Sequence, residues 1–124
     1  MSILASSESQ DLSPVTPLFA GSAPITTNRA AGGANVNLAA GTVIALVNDL
    51  IVAHDADAVN GSEVAVGILT EALNTVAQPG SWAAYYTGGD FNHEALVWDA
   101  ALNTLALRRA AFAQTDTIKI SAVK

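Results

Sequence analysis

The chain lacks cysteine altogether and is short of positive charge. Without cysteine it can form neither disulfides nor thiolate metal sites, so its stability has to come from packing and from contacts between subunits. Lys and Arg together number only 5 against 11 acidic residues, which leaves a net charge of −6. Because affinity for a phosphate backbone comes mainly from Lys and Arg, this balance argues against nucleic acid as a direct partner.

Long apolar runs and targeting segments are lacking as well. The longest apolar stretch, residues 38–47, is interrupted by Gly41 and Thr42. It therefore falls short of the roughly 18 residues that a membrane-spanning helix needs. The start of the chain has no basic cluster and no sustained apolar segment, so it does not look like a signal peptide. We expect no membrane partner, and we expect the protein to stay in the cytoplasm where it is made.

Apolar residues, by contrast, are abundant. Hydrophobic residues make up 51% of the chain and charged residues only 13%, against a usual charged share of roughly 25%. A chain of this length forms one domain that buries roughly 60–70% of its unfolded surface, and many such domains gain further burial by association. We therefore expect a single domain that oligomerises.

Charge is also unevenly distributed along the sequence. No Lys or Arg lies between Arg29 and Arg108, and most of the acidic residues fall in that interval. The remaining basic residues are Arg108, Arg109, Lys119 and Lys124. These residues can meet the acidic surface of the same subunit or of a neighbour, which would give specificity more than affinity. Random placement on a solvated surface is the alternative interpretation.

Residues 1–35 have the composition of a flexible N-terminal arm. They hold three of the four prolines and few charges, and they are rich in Ser, Thr, Ala and Gly, so they cannot bury enough apolar surface to fold alone. The extended backbone around each proline suits addition to an exposed sheet edge. The candidate partner-binding residues of the arm are Val15, Pro17, Leu18, Phe19, Ile25 and Thr26. A disordered tail without a role is the alternative.

Residues 36–124 show the pattern of a compact, β-rich domain, with short apolar runs separated by turn signals. The runs at 42–47 and 50–54 flank Asn48-Asp49, a two-residue turn that tolerates positive φ. This spacing predicts a β-hairpin.

The middle of the domain predicts two further strands. Residues 64–69 form an apolar run in which Gly67 indicates a bulge or the close approach of another backbone. Pro79-Gly80 predicts a turn, and residues 81–87 predict an aromatic strand that ends at the glycines that follow.

In the last part of the chain, the spacing of the apolar residues changes from that of a strand to that of a helix. Helical spacing of apolar residues predicts one or two short helices within 92–111, with Asp99 as an N-cap. Alternation at 117–123 predicts a closing strand. The predicted fold class is therefore α+β and mainly β: a small domain of short strands with one or two short helices, preceded by a flexible N-terminal arm.

Two groups of side chains have residue types that can bind a metal or transfer a proton. His54, Asp55 and Asp57 offer an imidazole and two carboxylates, but neighbours on a strand point to opposite faces, so we predict no metal site. His93 and Glu94 are adjacent on a predicted helix and do not face each other, so a surface helix start is the better interpretation. We expect no enzyme activity, no cofactor and no small-molecule substrate.

The large aromatic side chains have a structural explanation. In a domain with few large residues, aromatic side chains are more often core or subunit-interface anchors than platforms for a ligand. We predict that role for Trp82, Tyr85, Trp98 and Phe112.

Several of these segments resemble, in order and spacing, the lambda-type bacteriophage head decoration proteins. The segments are 50–53, 64–69, the aromatic strand, Phe91 with 94–98, 109–113 and the closing strand. The resemblance runs from about Thr42 to the end of the chain.

This resemblance implies a structural protein of the virion. It implies a homotrimer that binds the major capsid protein at three-fold and quasi-three-fold positions on the outer surface of the expanded head. It also implies an N-terminal arm that orders on the shell, and stabilisation of the head against internal DNA pressure. Two rival hypotheses are a trimeric tail or fibre module, and a small oligomeric enzyme whose site between subunits would use His54 and His93.

Overall fold

The computed structural model describes residues 17–122, which form a mainly β domain with one 3-10 helix and one short α-helix. The strands are β1 Thr26–Ala31, β2 Asn37–Leu38, β3 Val43–Val47, β4 Leu50–Ala53, β5 Gly67–Leu69, β6 Leu73–Asn74, β7 Trp82–Asn92 and β8 Ile118–Ser121. The 3-10 helix spans His93–Ala95, and α1 spans Leu105–Ala111. The predicted fold class is confirmed.

One sheet carries most of the domain. Its strand order is β1-β7-β5-β3-β4 with antiparallel neighbours, and β8 pairs in parallel with the end of β7. A bridge between Gly32 and Ile51 connects the chain just after β1 to β4, and the Gly33 amide donates to the Ile51 carbonyl at 2.8 Å. The two outer strands of the sheet are therefore joined at one end. The short strands β2 and β6 pair separately.

The predicted hairpin is confirmed. Strands β3 and β4 pair from Ile44 opposite Ala53 to Val47 opposite Leu50, and Asn48 and Asp49 have φ values of 53° and 64°. A two-residue turn with positive φ at both positions matches the twist of the flanking strands. This explains why short polar residues stand at these two positions.

Gly67 brings two backbones together, as its place in an apolar run predicts. A Cβ at this position would lie 2.5 Å from the Tyr86 carbonyl oxygen and 2.7 Å from Cδ2 of Tyr85. Strand β5 itself is shorter than the predicted run, and it pairs with β7 through Ile68 opposite Tyr86. The missing side chain of Gly67 allows β5 and β7 to approach closely.

The predicted end of the aromatic strand is wrong. Strand β7 continues through Gly88 and Gly89 to Asn92, because its last four residues gain β8 as a parallel partner, from Gly89 opposite Ile118 onward. Gly89 has a φ of 145°, a conformation open to glycine. The two glycines therefore allow the strand to change partners where a turn was expected.

The predicted helix start is also wrong. Helix α1 begins at Leu105, and its N-cap is Thr104, whose hydroxyl accepts a hydrogen bond from the Leu107 amide at 3.2 Å. Asp99 instead accepts hydrogen bonds from the amides of Ala101 at 3.0 Å and Ala56 at 2.7 Å. Its carboxylate closes a tight turn and holds a distant loop, and no helix follows it until Leu105.

The core consists of two clusters of buried apolar side chains. The first contains Ala30, Val36, Ile44, Ile51, Leu69, Leu73, Ala83 and Tyr85. The second contains Val43, Ala65, Ile68, Phe91, Leu96, Phe112, Ile118 and Ile120. The closing strand is confirmed as β8, because Ile118 and Ile120 are buried and Lys119 is exposed.

Part of the N-terminal segment lies along β7. The Asn92 amide donates to the Leu18 carbonyl, and the Ala20 amide donates to the Asp90 carbonyl, both at 2.8 Å. Strand β1 then follows β7 from Thr26 to Ala31, with a register shift after Thr26. Main-chain hydrogen bonds do not depend on side-chain hydrophobicity, so a segment with loop-like composition can still form an edge strand.

Candidate functional site

The arm residues nearest the domain form an anchored root. The Pro17 carbonyl accepts a hydrogen bond from the Asn92 side-chain amide at 3.0 Å. Leu18 and Phe19 pack against the second core cluster. The Phe19 ring lies 5.6 Å from the Tyr86 ring and 5.3 Å from the Phe91 ring, centroid to centroid. These contacts fix the point at which the N-terminal segment leaves the domain.

Two other arm residues face solvent, and one falls outside the described residues. Ile25 is 54% exposed, and it lies between the two stretches of the segment that pair with β7. Thr26 is exposed, and its hydroxyl is 2.8 Å from that of Thr87. Val15 precedes residue 17, where the described part of the chain begins. Ile25 is therefore the arm residue in the described range with the most apolar surface free for a partner.

Three of the four aromatic anchors belong to the core. Tyr85 and Phe112 are buried in the first and second clusters, and Trp98 packs edge-on against Phe112 at 5.9 Å between ring centroids. The Trp98 indole donates to the His93 carbonyl at 2.7 Å, and the Arg108 guanidinium lies over its ring at 5.4 Å. Trp98 is thus held by a ring contact, by a cation over its ring and by a hydrogen bond from its polar atom.

Trp82 is the exception among the anchors. Its side chain is 59% exposed at the start of β7, where it separates two grooves of about 490 and 450 Å³. Leu50, which is 38% exposed, lines the second groove. An exposed tryptophan beside a second apolar side chain is typical of a surface that becomes buried on association.

The charges around Trp82 are mixed. Arg29 is 3.9 Å from Glu71 in an exposed ion pair, and Asp49 lines the second groove. Burial raises the pKa of the Tyr85 hydroxyl in that groove; a hydrogen bond with Asn28 opposes the shift and the charge of Asp49 adds to it. We call Arg29, Asp49, Leu50, Glu71 and Trp82 the Trp82 face.

A second exposed apolar surface lies on the short helix, and the sequence patterns did not single it out. Leu107 is 43% exposed, beside Arg109, whose Nε donates to the Ile120 carbonyl at 2.9 Å. Lys119 is exposed on the adjoining strand β8. We call Leu107, Arg109 and Lys119 the α1 face. Two basic residues, Arg108 and Arg109, directly follow Leu107 in the sequence, and this is the signal by which the sequence could have indicated the face.

The groups considered for chemistry do not assemble a reactive site. His54 is buried, its Nε2 lies 3.0 Å from the Glu63 carbonyl oxygen, and its Nδ1 has no hydrogen-bond partner within residues 17–122. Asp55 and Asp57 are exposed in the loop that follows. Across the same residues, no group of three or more His, Asp or Glu side chains has a metal-binding arrangement.

His93 takes part in a structural contact. The Arg108 guanidinium lies 2.9 Å from Nδ1 of His93, and since a guanidinium only donates hydrogen bonds, this nitrogen is the acceptor. Glu94 is exposed, and its amide donates to the Asn92 side chain. Within the described range, no helix is long and apolar enough to cross a membrane.

A small β domain with exposed apolar faces and a segment anchored along a strand edge is typical of structural assembly proteins. Residues 17–120 match the model of the family described as bacteriophage lambda head decoration protein D. The chain belongs to this family, which gives it a capsid decoration role as a structural component of the phage virion. Among curated proteins, none matches the chain.

Proposed function

We propose that this protein binds the outer surface of an expanded phage head as a homotrimer and stabilises the shell against the pressure of the packaged DNA. The trimer would sit at three-fold and quasi-three-fold positions and contact the major capsid protein, with no nucleic acid, membrane or small molecule involved. The observation that carries the proposal is the family match over residues 17–120. It covers the whole domain except its last residues.

The stabilisation is thermodynamic. A protein that binds the expanded lattice better than any other form of the shell favours that lattice by mass action. Three binding arms on one rigid trimer act multivalently, because the first contact raises the effective concentration of the other two arms. The shell therefore resists disruption more strongly than one contact of the same strength would allow.

We propose that residues 1–35 are the capsid-binding arm and that residues 36–124 form the decoration domain, to whose sheet the end of the arm adds β1 as an edge strand. In the described part of the binding unit, Pro17, Leu18 and Phe19 act as the root, because their contacts with Asn92, Tyr86 and Phe91 hold the segment at one end of β7. The residues that contact the capsid are then residues 1–16, which include Val15, together with the exposed Ile25 and Thr26. The contact itself is main-chain pairing with a sheet edge, supported by apolar side chains.

The primary test is cosedimentation of the purified protein with undecorated expanded capsids, followed by heating of the pellet. Saturable binding that raises the disruption temperature of the shell is the expected result. Absence of binding to any capsid form would refute the proposal and favour a tail or fibre module instead.

The arm is tested by deletion of residues 1–16. This change leaves the pairing of Leu18 and Ala20 with β7 intact, whereas removal of residues 1–30 would also remove an edge strand. We expect the shortened protein to keep its circular dichroism spectrum and its unfolding temperature but to lose at least tenfold in capsid affinity. Unchanged capsid affinity would place the binding surface elsewhere. The matched control is Ala122→Ser, a small change at the other end of the described range.

A further inference from the structure

We propose that the protein associates with itself by packing the Trp82 face of one copy against the α1 face of the next. This inference rests on the proposed homotrimer and specifies which surfaces form it. The partner of each face is a second copy of this chain, and the two faces in the contact are different surfaces of the domain.

Exposed apolar side chains are the first support. Trp82 and Leu50 are 59% and 38% exposed on one face, and Leu107 is 43% exposed on the other. Tryptophan is the residue type most enriched among those that dominate the energy of protein interfaces, particularly where smaller apolar contacts surround it. The grooves on both sides of Trp82 can receive side chains that project from a helix, and Leu107 projects from one.

Charge complementarity supports the choice of partner. On the Trp82 face, Arg29 is balanced by Glu71, and Asp49 leaves an excess of negative charge. Arg29 is also the last basic residue before Arg108 in the sequence, so no other Lys or Arg from that interval can neutralise this face.

The α1 face has the opposite sign. It carries Arg109 and Lys119, with Arg108 beside them, and the acids near it are Asp116 in the same stretch of chain and Asp90, which lies opposite Lys119 on β7, so three basic residues stand against two acidic ones. Opposite potentials on two faces steer copies into one orientation and disfavour contacts between identical faces.

The positions of the two faces make the contact heterologous. Trp82 begins β7, whereas α1 packs on β8, which pairs with the last four residues of β7. Nine residue steps along an extended strand separate Trp82 from Phe91, a distance of about 30 Å. One copy therefore cannot bring its own faces together. A head-to-tail contact between copies closes into a ring when its rotation allows, and a ring of three is the closure that the proposed homotrimer requires.

The test measures the mass and the dissociation constant of the full-length protein by sedimentation velocity over a concentration series. Trp82→Ser should weaken association at least tenfold, whereas Val59→Ser should leave it unchanged. Val59 is a suitable control because its side chain is 96% exposed on a loop outside both faces. Circular dichroism checks that each variant is folded.

A charge exchange tests the pairing of the faces. Glu71→Lys and Lys119→Glu should each weaken association, and the double variant should recover most of the lost affinity, because it restores opposite signs across the contact. A Trp82→Ser variant with unaltered association, or a double variant no better than the single ones, would overturn the inference.

Capsid binding separates this inference from the proposed function. If the wild-type protein binds capsids but stays monomeric at every concentration, the contact between faces is refuted and decoration remains. If it forms trimers that depend on Trp82 but binds no capsid, the contact is supported and the decoration proposal fails.

Discussion

The side-chain amide of Asn92 donates a hydrogen bond to the carbonyl oxygen of Pro17 at 3.0 Å, and the side-chain oxygen of the same residue accepts one from the Glu94 amide at 3.2 Å. Asn92 therefore anchors the N-terminal segment and caps the 3-10 helix at the same point. Its side chain is almost completely buried, so both bonds form where water competes little with them.

Asn92→Ala should lower the free energy of unfolding by about 2 kcal/mol, because it removes two part-buried hydrogen bonds, to the Pro17 carbonyl and from the Glu94 amide. Urea denaturation at a fixed protein concentration measures the change. The control is Asn103→Ala at an exposed position, which should stay within about 0.5 kcal/mol of wild type. Equal stability of the two variants would show that the Pro17 contact does not hold the segment.

Gly67→Ala tests the close approach of β5 and β7. The added methyl group would collide with the Tyr86 carbonyl and the Tyr85 ring, so the two strands would have to separate. We expect a loss of about 2–3 kcal/mol in the free energy of unfolding. Gly80→Asn is the comparison, because Gly80 has a φ of 82° and open space around it, and Asn tolerates that conformation. A Gly67→Ala variant as stable as Gly80→Asn would contradict the packing.

Arg108→Lys should lower the free energy of unfolding although it keeps the positive charge. The guanidinium donates to the Leu102 carbonyl at 2.8 Å, contacts His93 and covers the Trp98 ring, and an ammonium group cannot reproduce this planar set of contacts. Thermal unfolding should show a loss of about 1–2 kcal/mol.

Arg29→Lys is the matched control for that substitution. Its one ion pair within residues 17–122 is exposed and 3.9 Å long, so we expect a change within about 0.5 kcal/mol. If the two variants lost the same free energy of unfolding, the contacts of Arg108 would stabilise the fold no more than the exposed ion pair of Arg29 does.

Asp99 gives the protein a defined dependence of stability on pH. Hydrogen bonds from the Ala101 and Ala56 amides, with a smaller contribution from His54, hold the pKa of its carboxyl below the usual 3.8, and burial only partly opposes them. The unfolded chain therefore takes up this proton at a higher pH than the folded one. The stabilisation is complete above the unfolded pKa and is lost as the pH falls through the lowered folded pKa.

Asp99→Asn should therefore be less stable than wild type by about 1 kcal/mol at neutral pH, a modest value because the carboxylate is partly exposed. The difference should shrink below about pH 4. Urea denaturation of both proteins between neutral and acidic pH provides the measurement. A difference that stayed constant down to the most acidic condition would show that the ionised carboxylate is not the stabilising form.

The sequence predicted those parts of the fold that depend on local chemistry. The hairpin at Asn48 and Asp49 needs only two residues that tolerate positive φ between apolar runs. The buried alternation of Ile118 and Ile120 needs only a period of two, and the small side chain of Gly67 indicated a close approach before any partner was known. In each case, neighbours in the chain carry the information.

The errors arose where distant segments decide the outcome. Gly88 and Gly89 resemble a strand end, but β8 supplies new hydrogen-bond partners that extend β7 past them. Asp99 has the side chain of an N-cap, but the Ala56 amide from another loop engages it. A local pattern cannot report a partner that lies far away along the chain.

For the candidate site, the sequence by itself determined the kind of protein: a small, cysteine-free, mainly β domain, in the order of motifs typical of head decoration proteins. The tertiary structure decided which apolar residues are free for partners. It placed Phe19, Tyr85 and Phe112 against the core and left Trp82, Leu50 and Leu107 at the surface. The physical reason is that burial depends on which strands pair and pack across the sheet, and identical residue types are therefore buried or exposed according to contacts that no short stretch of sequence contains.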